Sequence, residues 1–330
     1  MNFSLIICTY NRRKAIEILM NSIVTQSLYP NQIIIVDGSL NQETKTYFEN
    51  VNFENLDYFL IDASTRGLTK QRNFGISKVH ATSEVVCFLD DDTVLDTDYF
   101  FQIINVFKIN TKITGVGGVA VNENYWELRD FSKTYHSKRY YIFEDYVIKE
   151  SLRNIVRNYL HLNSDLESGK MPMFSHGRTF GYPLNGKCYQ VDLLIGMSMS
   201  FRKTVVDSIK FSTYFEGYGL YEDAHFSIKS LAFGENVIST NAKLEHHHDA
   251  SGRPNQYNYG KMVVRNGWYV WRTKNPSPTF IHAFKWHAIT ILLTFIRIGN
   301  ILTTKKRKEA FTESLGRTVG WFSVVFNKPM

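Results

Sequence analysis

Three cysteines in 330 residues, Cys8, Cys87 and Cys188, are too few and too far apart for a disulfide framework or a CxxC metal site. Cys8 and Cys87 lie in apolar runs and read as small buried hydrophobes. Long hydrophobic runs are missing too. The best candidate, Ala288–Ile296, is cut by Arg297, so no membrane-crossing helix is expected. The opening MNFSLIICTY has neither a basic leader nor a small-residue cleavage site and is expected to be a first strand, in a reducing, cytoplasmic setting. Neither GxGxxG nor GxxxxGK[ST] occurs, which removes the dinucleotide fingerprint and the P-loop. Internal repeats and low-complexity segments are absent as well.

What is present belongs to a globular chain of roughly two domains at ~150 residues each. A hydrophobic fraction of 44% against 21% charged excludes wholesale disorder, and 24 Phe with 19 Tyr predict a large core and sticky surfaces. The formal charge of +7 is unevenly spread. From Lys261 onward 12 Lys/Arg face only 2 acids, whereas the first 260 residues hold 26 Lys/Arg against 29 acids. Positive charge is thus a property of the tail, and a chain otherwise slightly acidic, with no recognition module, is not expected to bind nucleic acid.

Up to residue 121 strand and helix patterns alternate. Phe3–Cys8, Gln32–Val36, Tyr58–Ile61 and Glu84–Leu89 are apolar or β-branched runs, as strands buried on both faces require. Arg12–Gln26, Asn41–Asn50 and Leu68–Val79 carry apolar residues at helical spacing. This βαβα order predicts a doubly wound, mostly parallel sheet with helices on both faces, whose ligands sit beyond the carboxyl ends of the strands. Residues 122–190 lose the rhythm. Val191–Asn241 restores it with a strand-like VDLLIGMSMSF, a helix starting at Arg202 and another over Tyr221–Phe233. From Asn255 the chain reads as helical and basic. The expected division is 1–122, 123–254 and 255–330.

The acids Asp90, Asp91 and Asp92 follow a buried strand. Adjacent carboxylates repel one another, and a hard divalent cation such as Mn²⁺ or Mg²⁺ offsets that repulsion. An acidic loop or helix cap is the plain alternative. The same sheet edge is expected to carry Cys8-Thr9-Tyr10-Asn11-Arg12, then Val36-Asp37-Gly38-Ser39, then the run from Arg66 to Gly75. Glu222-Asp223 opens a helix, where a carboxylate either receives a proton or merely complements the helix dipole. In His246-His247-His248 neighbours point to opposite faces, so His246 and His248 share one.

ICTYNR, IVDGS, RGLTKQRNFGI and FLDDD, followed by GMSMSFR, YEDAH and HHHDAS, in this order and spacing resemble the family 2 glycosyltransferases with a GT-A fold. The resemblance covers about residues 1–122 and 191–272. It implies a pocket for a nucleotide-diphosphate sugar, UDP-linked by preference, formed by Thr9, Tyr10, Asn11, Arg12 and Asp37. Arg66, Arg72 and Asn73 are implied near the diphosphate or ribose, with surface-solvated arginines as the alternative. By the same analogy Asp90 lies toward the ribose, Asp92 and His246 bind metal, and Asp91 is left open; His248 is the alternative to His246. Asp223 is implied as the base that deprotonates the acceptor, with Glu222 as its alternative. The family usually has two acids where Val36-Asp37 stands here.

The function so implied is inverting, metal-dependent transfer to a saccharide hydroxyl, the cysteines being buried and no GxSxG nucleophile present. Within Phe280–Ile301, His287, Thr290, Thr294 and Arg297 form a stripe, and Lys305-Lys306-Arg307-Lys308 follows. Such a basic amphipathic region suits an anionic membrane surface and, with it, a lipid-linked acceptor in cell-surface polysaccharide synthesis; packing on the core or on a homodimer partner is the alternative. Two rival functions remain: a nucleotidyltransferase, which would want a Gly-rich phosphate loop after strand one, and a non-catalytic sugar-nucleotide-binding protein.

Overall fold

Apolar runs without polar alternation must be covered on both faces, and in the computed structural model, which describes residues 1–179, 181–248 and 254–329, they are. Strands β1 (Phe3–Thr9), β2 (Gln32–Asp37), β3 (Leu56–Leu60) and β4 (Val85–Asp90) are joined by helices α1 (Arg13–Val24), α2 (Glu43–Asn50) and α3 (Leu68–Ile76). Helix α1 buries Ile16, Leu19, Met20 and Ile23, one face at 3.6-residue spacing. Helix α3 comes close to β1: a Cβ added at Gly75 would meet Ile6 Cγ2 at 2.7 Å. Then come β5 (Thr93–Leu95), α4 (Tyr99–Ile109) and β6 (Ile113–Ala120).

The stretch expected to be irregular is partly ordered, with β7 (Glu127–Leu128), β8 (Tyr140–Phe143), β9 (Tyr146–Lys149) and α5 (Leu152–Tyr159). VDLLIGMSMSF is not one strand. It divides between β10 (Cys188–Val191) and β11 (Ser198–Arg202), which pair with different neighbours. Helices α6 (Lys203–Ser208) and α7 (Glu222–Ser230) and strand β12 (Glu235–His246) follow. The tail forms α8 (Gln256–Lys274), α9 (Phe280–Thr303) and α10 (Arg307–Phe326).

These elements form two compact units. The first comprises residues 1–124 and 184–253, the second 125–183 and 254–330. Residues 123–254, expected as one acceptor-side half, are therefore shared between them. The first unit is a nine-stranded sheet in the order β10-β12-β6-β11-β4-β1-β2-β3, with β5 pairing β12. Strands β1 to β4 run parallel; β11 is antiparallel to β4 and β6, and β12 is parallel to β6. The carboxyl ends of β1, β2, β4, β6 and β12 therefore share one edge. Register sets Thr9 beside Asp37 and Cys8 beside Asp90.

The second unit has the sheet β7-β9-β8 and the helices α5 and α8 to α10. Its core holds Trp268, Trp271 and Trp286, with Trp271 and Trp286 stacked at 5.6 Å. Two expectations need correction here. Helix α9 is long and apolar enough to cross a membrane by length and composition, because Arg297 is the only charge in its second half and the hydropathy of the rest outweighs it. Cys188 is exposed, since it lies on the terminal strand β10 of the large sheet.

Candidate active site

The carboxyl edge gathers acids around two arginines, Arg12 half-buried and Arg72 buried. Thr9, the last residue of β1, donates its hydroxyl to Asp91 Oδ2 at 2.7 Å, and Arg12 donates to Asp91 Oδ1 at 2.9 Å. Arg12 also stands 3.6 Å from Asp92. Burial pushes the Asp91 carboxyl up to about 7 against the pull of Arg12. Asp91 is thus the buried hub that anchors the cluster to β1, while Asp90 and Asp92 flank it.

Asp90, Asp92 and His246 present ligand atoms within 4.8 Å of one another, a spacing that one divalent cation can bridge. His246, at the end of β12, has Nε2 3.4 Å from Asp92 Oδ1 and Nδ1 3.1 Å from Glu123 Oε1. Burial alone would lower its pKa, but the hydrogen bond and charge of Asp92 outweigh that and raise it. The donor chemistry fits Mn²⁺ or Mg²⁺: two carboxylates that repel one another, plus an imidazole already oriented by carboxylates. His248 shares the face of His246, their rings 4.0 Å apart, and its Nε2 lies 2.6 Å from Glu123. Glu123 escaped the sequence reading. Its signal was position, just past β6 at the edge where the other strands deliver their polar ends. Asp249-Ala250-Ser251, the rest of the histidine motif, lies outside the described residues.

Asp37 is fully buried; Tyr58 Oη donates to one carboxylate oxygen at 2.7 Å and the Ser39 amide to the other at 2.8 Å. Asn11 takes a left-handed φ of 54°, its amide donating to Ser39 Oγ and its side chain accepting from the Leu40 amide. Tyr10 beside it is half-buried. Together these residues build the turn network at the ends of β1 and β2. Arg66 donates to the Gly38 carbonyl at 2.7 Å, closing that network from the α3 side.

Arg72 is neither solvated nor peripheral. It is 1% exposed, pairs with Glu222 of α7, lies 3.1 Å from Asp90 Oδ1 and donates to the Gly196 carbonyl at 3.3 Å. Asn73 is used elsewhere: its amide clamps the backbone of Phe211, donating at 2.9 Å and accepting at 3.0 Å.

Glu222 and Asp223 open α7 after a loop in which Gly217, Gly219 and Tyr221 all have positive φ. They differ in surroundings. Glu222 is buried against Arg72, with burial pushing its carboxyl up while Arg72 pulls it down. Asp223 accepts the Gly196 amide at 2.9 Å and the Ala224 amide at 2.7 Å, and burial raises its pKa. A Cβ added at Gly196 would meet Arg72, Glu222 and Asp223 at 3.3, 3.5 and 3.6 Å, so glycine lets β11's approach lie directly on this group.

This mostly parallel sheet with an acid-and-histidine edge is GT-A architecture, and solved structures agree. The S. aureus TarS 1–349 structure matches with a TM-score of 0.54 at 14% identity, over 98% of this chain and 81% of that one. The mannosyltransferase PcManGT from Pyrobaculum calidifontis, in complex with GDP-Man and Mn²⁺, matches with 0.52 at 13% identity, over 99% and 88%. GalNAc-T7 with UDP, GalNAc and Mn²⁺ gives 0.52 at 14% identity, over 82% and 49%. Residues 4–164 match the model of Glycosyl transferase family 2, and the chain carries a glycosyltransferase domain of that family.

Among curated relatives, a poly-beta-1,6-N-acetyl-D-glucosamine synthase of Staphylococcus epidermidis is 32% identical over 35% of this chain. The O-antigen chain rhamnosyltransferase RfbN of Salmonella typhimurium is 28% identical over 33%. The GalNAc(5)-diNAcBac-PP-undecaprenol beta-1,3-glucosyltransferase of Campylobacter jejuni is 32% identical over 28%. The matched stretches span 27%, 34% and 30% of those proteins.

Proposed function

We propose that this chain moves a sugar from a nucleotide-diphosphate sugar, UDP-linked by preference, to a hydroxyl of a lipid-linked saccharide, with inversion, in cell-surface polysaccharide synthesis at the cytoplasmic membrane face. The observation that carries the reading is the meeting of two chemistries at one sheet edge. Asp90, Asp92 and His246 converge on one side, and Asp223 stands on the other beside the Arg72–Glu222 pair that ties α7 to Asp90. Two structural neighbours bind nucleotides together with Mn²⁺, and one relative's name includes a polyprenyl diphosphate.

In this reading Asp223 takes the proton from the acceptor hydroxyl as its oxygen attacks the anomeric carbon, while the bond to the diphosphate breaks and its electron pair leaves with the nucleotide. Direct attack opposite the leaving group inverts the centre. The two amides on Asp223 fix its orientation, and its burial-raised pKa makes it a stronger base than a solvent-exposed carboxylate. Glu222, held by Arg72, positions α7. Asp90, Asp92 and His246 would hold Mn²⁺ or Mg²⁺, which when bound offsets charge growing on the diphosphate. The polar ends of β1 and β2, with Tyr10, Asn11, Asp37 and Arg66, supply the surroundings of the nucleotide.

The test is nucleotide-dependent thermal stabilisation with and without Mn²⁺, followed by donor hydrolysis and transfer, on the natural chain and on Asp223→Asn. Asp223→Asn is expected to keep Mn²⁺-dependent nucleotide binding and to lose turnover by about 10²–10⁴-fold. Binding with no turnover at all in the natural chain would indicate a non-catalytic sugar-nucleotide-binding protein. Release of pyrophosphate from a nucleoside triphosphate and a sugar phosphate would indicate nucleotidyl transfer.

A further inference from the structure

Helix α9 turns a polar stripe inward beside buried Trp286 and Ile289 and leaves an apolar row outside. Its polar stripe faces inward: His287 Nδ1 accepts from Trp321 Nε1 at 3.1 Å, Thr290 meets His176 Nε2 at 3.3 Å, and Arg297 pairs with Glu313 of α10 at 2.7 Å. Thr290 and Thr294 are buried, their hydroxyls bonded to helix carbonyls one turn back. The opposite face carries Ile281, Phe284, Ile291, Phe295, Ile298 and Leu302, on a spacing of three or four residues with Ala288 filling the gap. Phe284 is 61% exposed, Phe295 64% and Leu302 82%. At 1.5 Å per residue this apolar row runs for about 32 Å. A helix of a soluble protein keeps its outer face polar, and a contiguous apolar row left in water marks an interaction surface.

Charge identifies what covers it. Between Pro254 and Lys308 there is no acid but there are ten Lys/Arg, four of them in the run Lys305–Lys308 directly after α9. A second copy of this chain would bring the same cations against one another, whereas an anionic lipid surface neutralises them. Nor can α9 stand across a bilayer as it is packed. Its inward face would draw the Arg297–Glu313 pair, and the Trp271 and Trp286 stack, into the span.

We propose that α9 lies flat in the surface of an anionic membrane, its apolar row in the acyl boundary and Lys305–Lys308 among the phosphates. This rests on the packing of α9 and goes beyond the transfer reaction proposed above.

The test is co-sedimentation of the full chain with phosphatidylglycerol-rich and with pure phosphatidylcholine vesicles. The natural chain is expected to bind the anionic vesicles in a salt-sensitive way and the neutral ones far more weakly. Phe284→Ser combined with Phe295→Ser should weaken binding by roughly a hundredfold. K305Q/K306Q/R307Q/K308Q should weaken it at least about tenfold and remove the salt sensitivity. All these positions are exposed, so thermal midpoints and Mn²⁺-dependent nucleotide binding should not change, which separates this result from the fate of the transferase reading. Equal vesicle binding by the variants and the natural chain would overturn the proposal. So would binding that withstands both high salt and alkaline carbonate, the mark of a spanning helix. A dimer dispersed by the serine pair, with no vesicle binding, would assign the face to a second copy.

Discussion

Replacing Arg72 by Met removes the guanidinium that Glu222, Asp90 and the Gly196 carbonyl share, and keeps most of the side chain's bulk. Glu222 is 3% exposed, so wherever its carboxyl is ionised it is left without water or counter-charge. Asp90 loses less, because a third of its side chain reaches solvent. Breaking one partner out of a buried pair costs about 3–5 kcal/mol. In a unit of this size 1 kcal/mol moves the midpoint by about 2–4 °C, so Arg72→Met should melt roughly 6–20 °C lower. The deficit should depend on pH. Arg72 holds the Glu222 carboxyl down against burial, so without it that carboxyl titrates higher still. Only the ionised form suffers, and the deficit should shrink as pH falls and grow as it rises. The double variant Arg72→Met with Glu222→Gln should recover most of the loss, since a buried pair replaced at both ends is close to neutral. Circular dichroism melts of the four proteins across pH form a complete double-mutant cycle. A loss under about 1 kcal/mol in Arg72→Met, or a double variant as unstable as the two single losses added, would show that the pair does not hold α7 to the sheet.

Three other outcomes are expected. Asp92→Ala should abolish Mn²⁺-dependent nucleotide stabilisation yet leave the metal-free midpoint nearly unchanged, because it also relieves repulsion with Asp91; an unchanged Mn²⁺ effect in a thermal shift would refute its place among the ligands. Burial and nearby arginines push the His176 imidazole down to about 3, so the folded chain stays unprotonated there while the unfolded chain charges below about 6.5. Stability should therefore fall as pH drops through that window, by up to about 1.4 kcal/mol per unit, and His176→Gln should flatten that limb in urea titrations. Gly75→Ala forces a methyl against Ile6 Cγ2, a contact of 2.7 Å, and should cost about 1–3 kcal/mol in the same denaturation assay; an unchanged urea midpoint would refute the close approach of α3 to β1.

What could be read from the chain is what local pattern encodes. Strands such as Gln32–Asp37, every residue buried, announce themselves as apolar runs, and the polar groups that end them fall at the ligand edge by topology alone. Arg72 shows the limit. On a short helix it resembles any solvated arginine, and its partner Glu222 is 150 residues away, so only the folded sheet reveals the pair. Glu123 is hidden for the same reason, since its histidine partners lie on β12. Periodicity in α9 distinguishes two faces but not which one turns inward; that depends on Glu313, Trp321 and His176 receiving the polar one. Residues 125–183 alternate too weakly for β7 to β9 to be visible, each being a strand of two to four residues.

Strand β11 lies in the middle of the large sheet, between β4 and β6, although it is made some 80 residues after β6. On the ribosome, β1 to β4 can pair as they emerge, but β6 has no strand beside it until β11 has left the exit tunnel, and lacks its second neighbour until β12 follows. A nascent chain that ends at residue 164, where the family match stops, therefore exposes β4 as a bare edge with apolar Val85–Leu89. Such an edge recruits other strands and aggregates. The centre of the sheet fills only when β11 arrives and its β10 side only when β12 does, so the shortest fragment able to complete it must reach His246, and the inserted segment 125–183 waits longer still for the helices that finish its own unit.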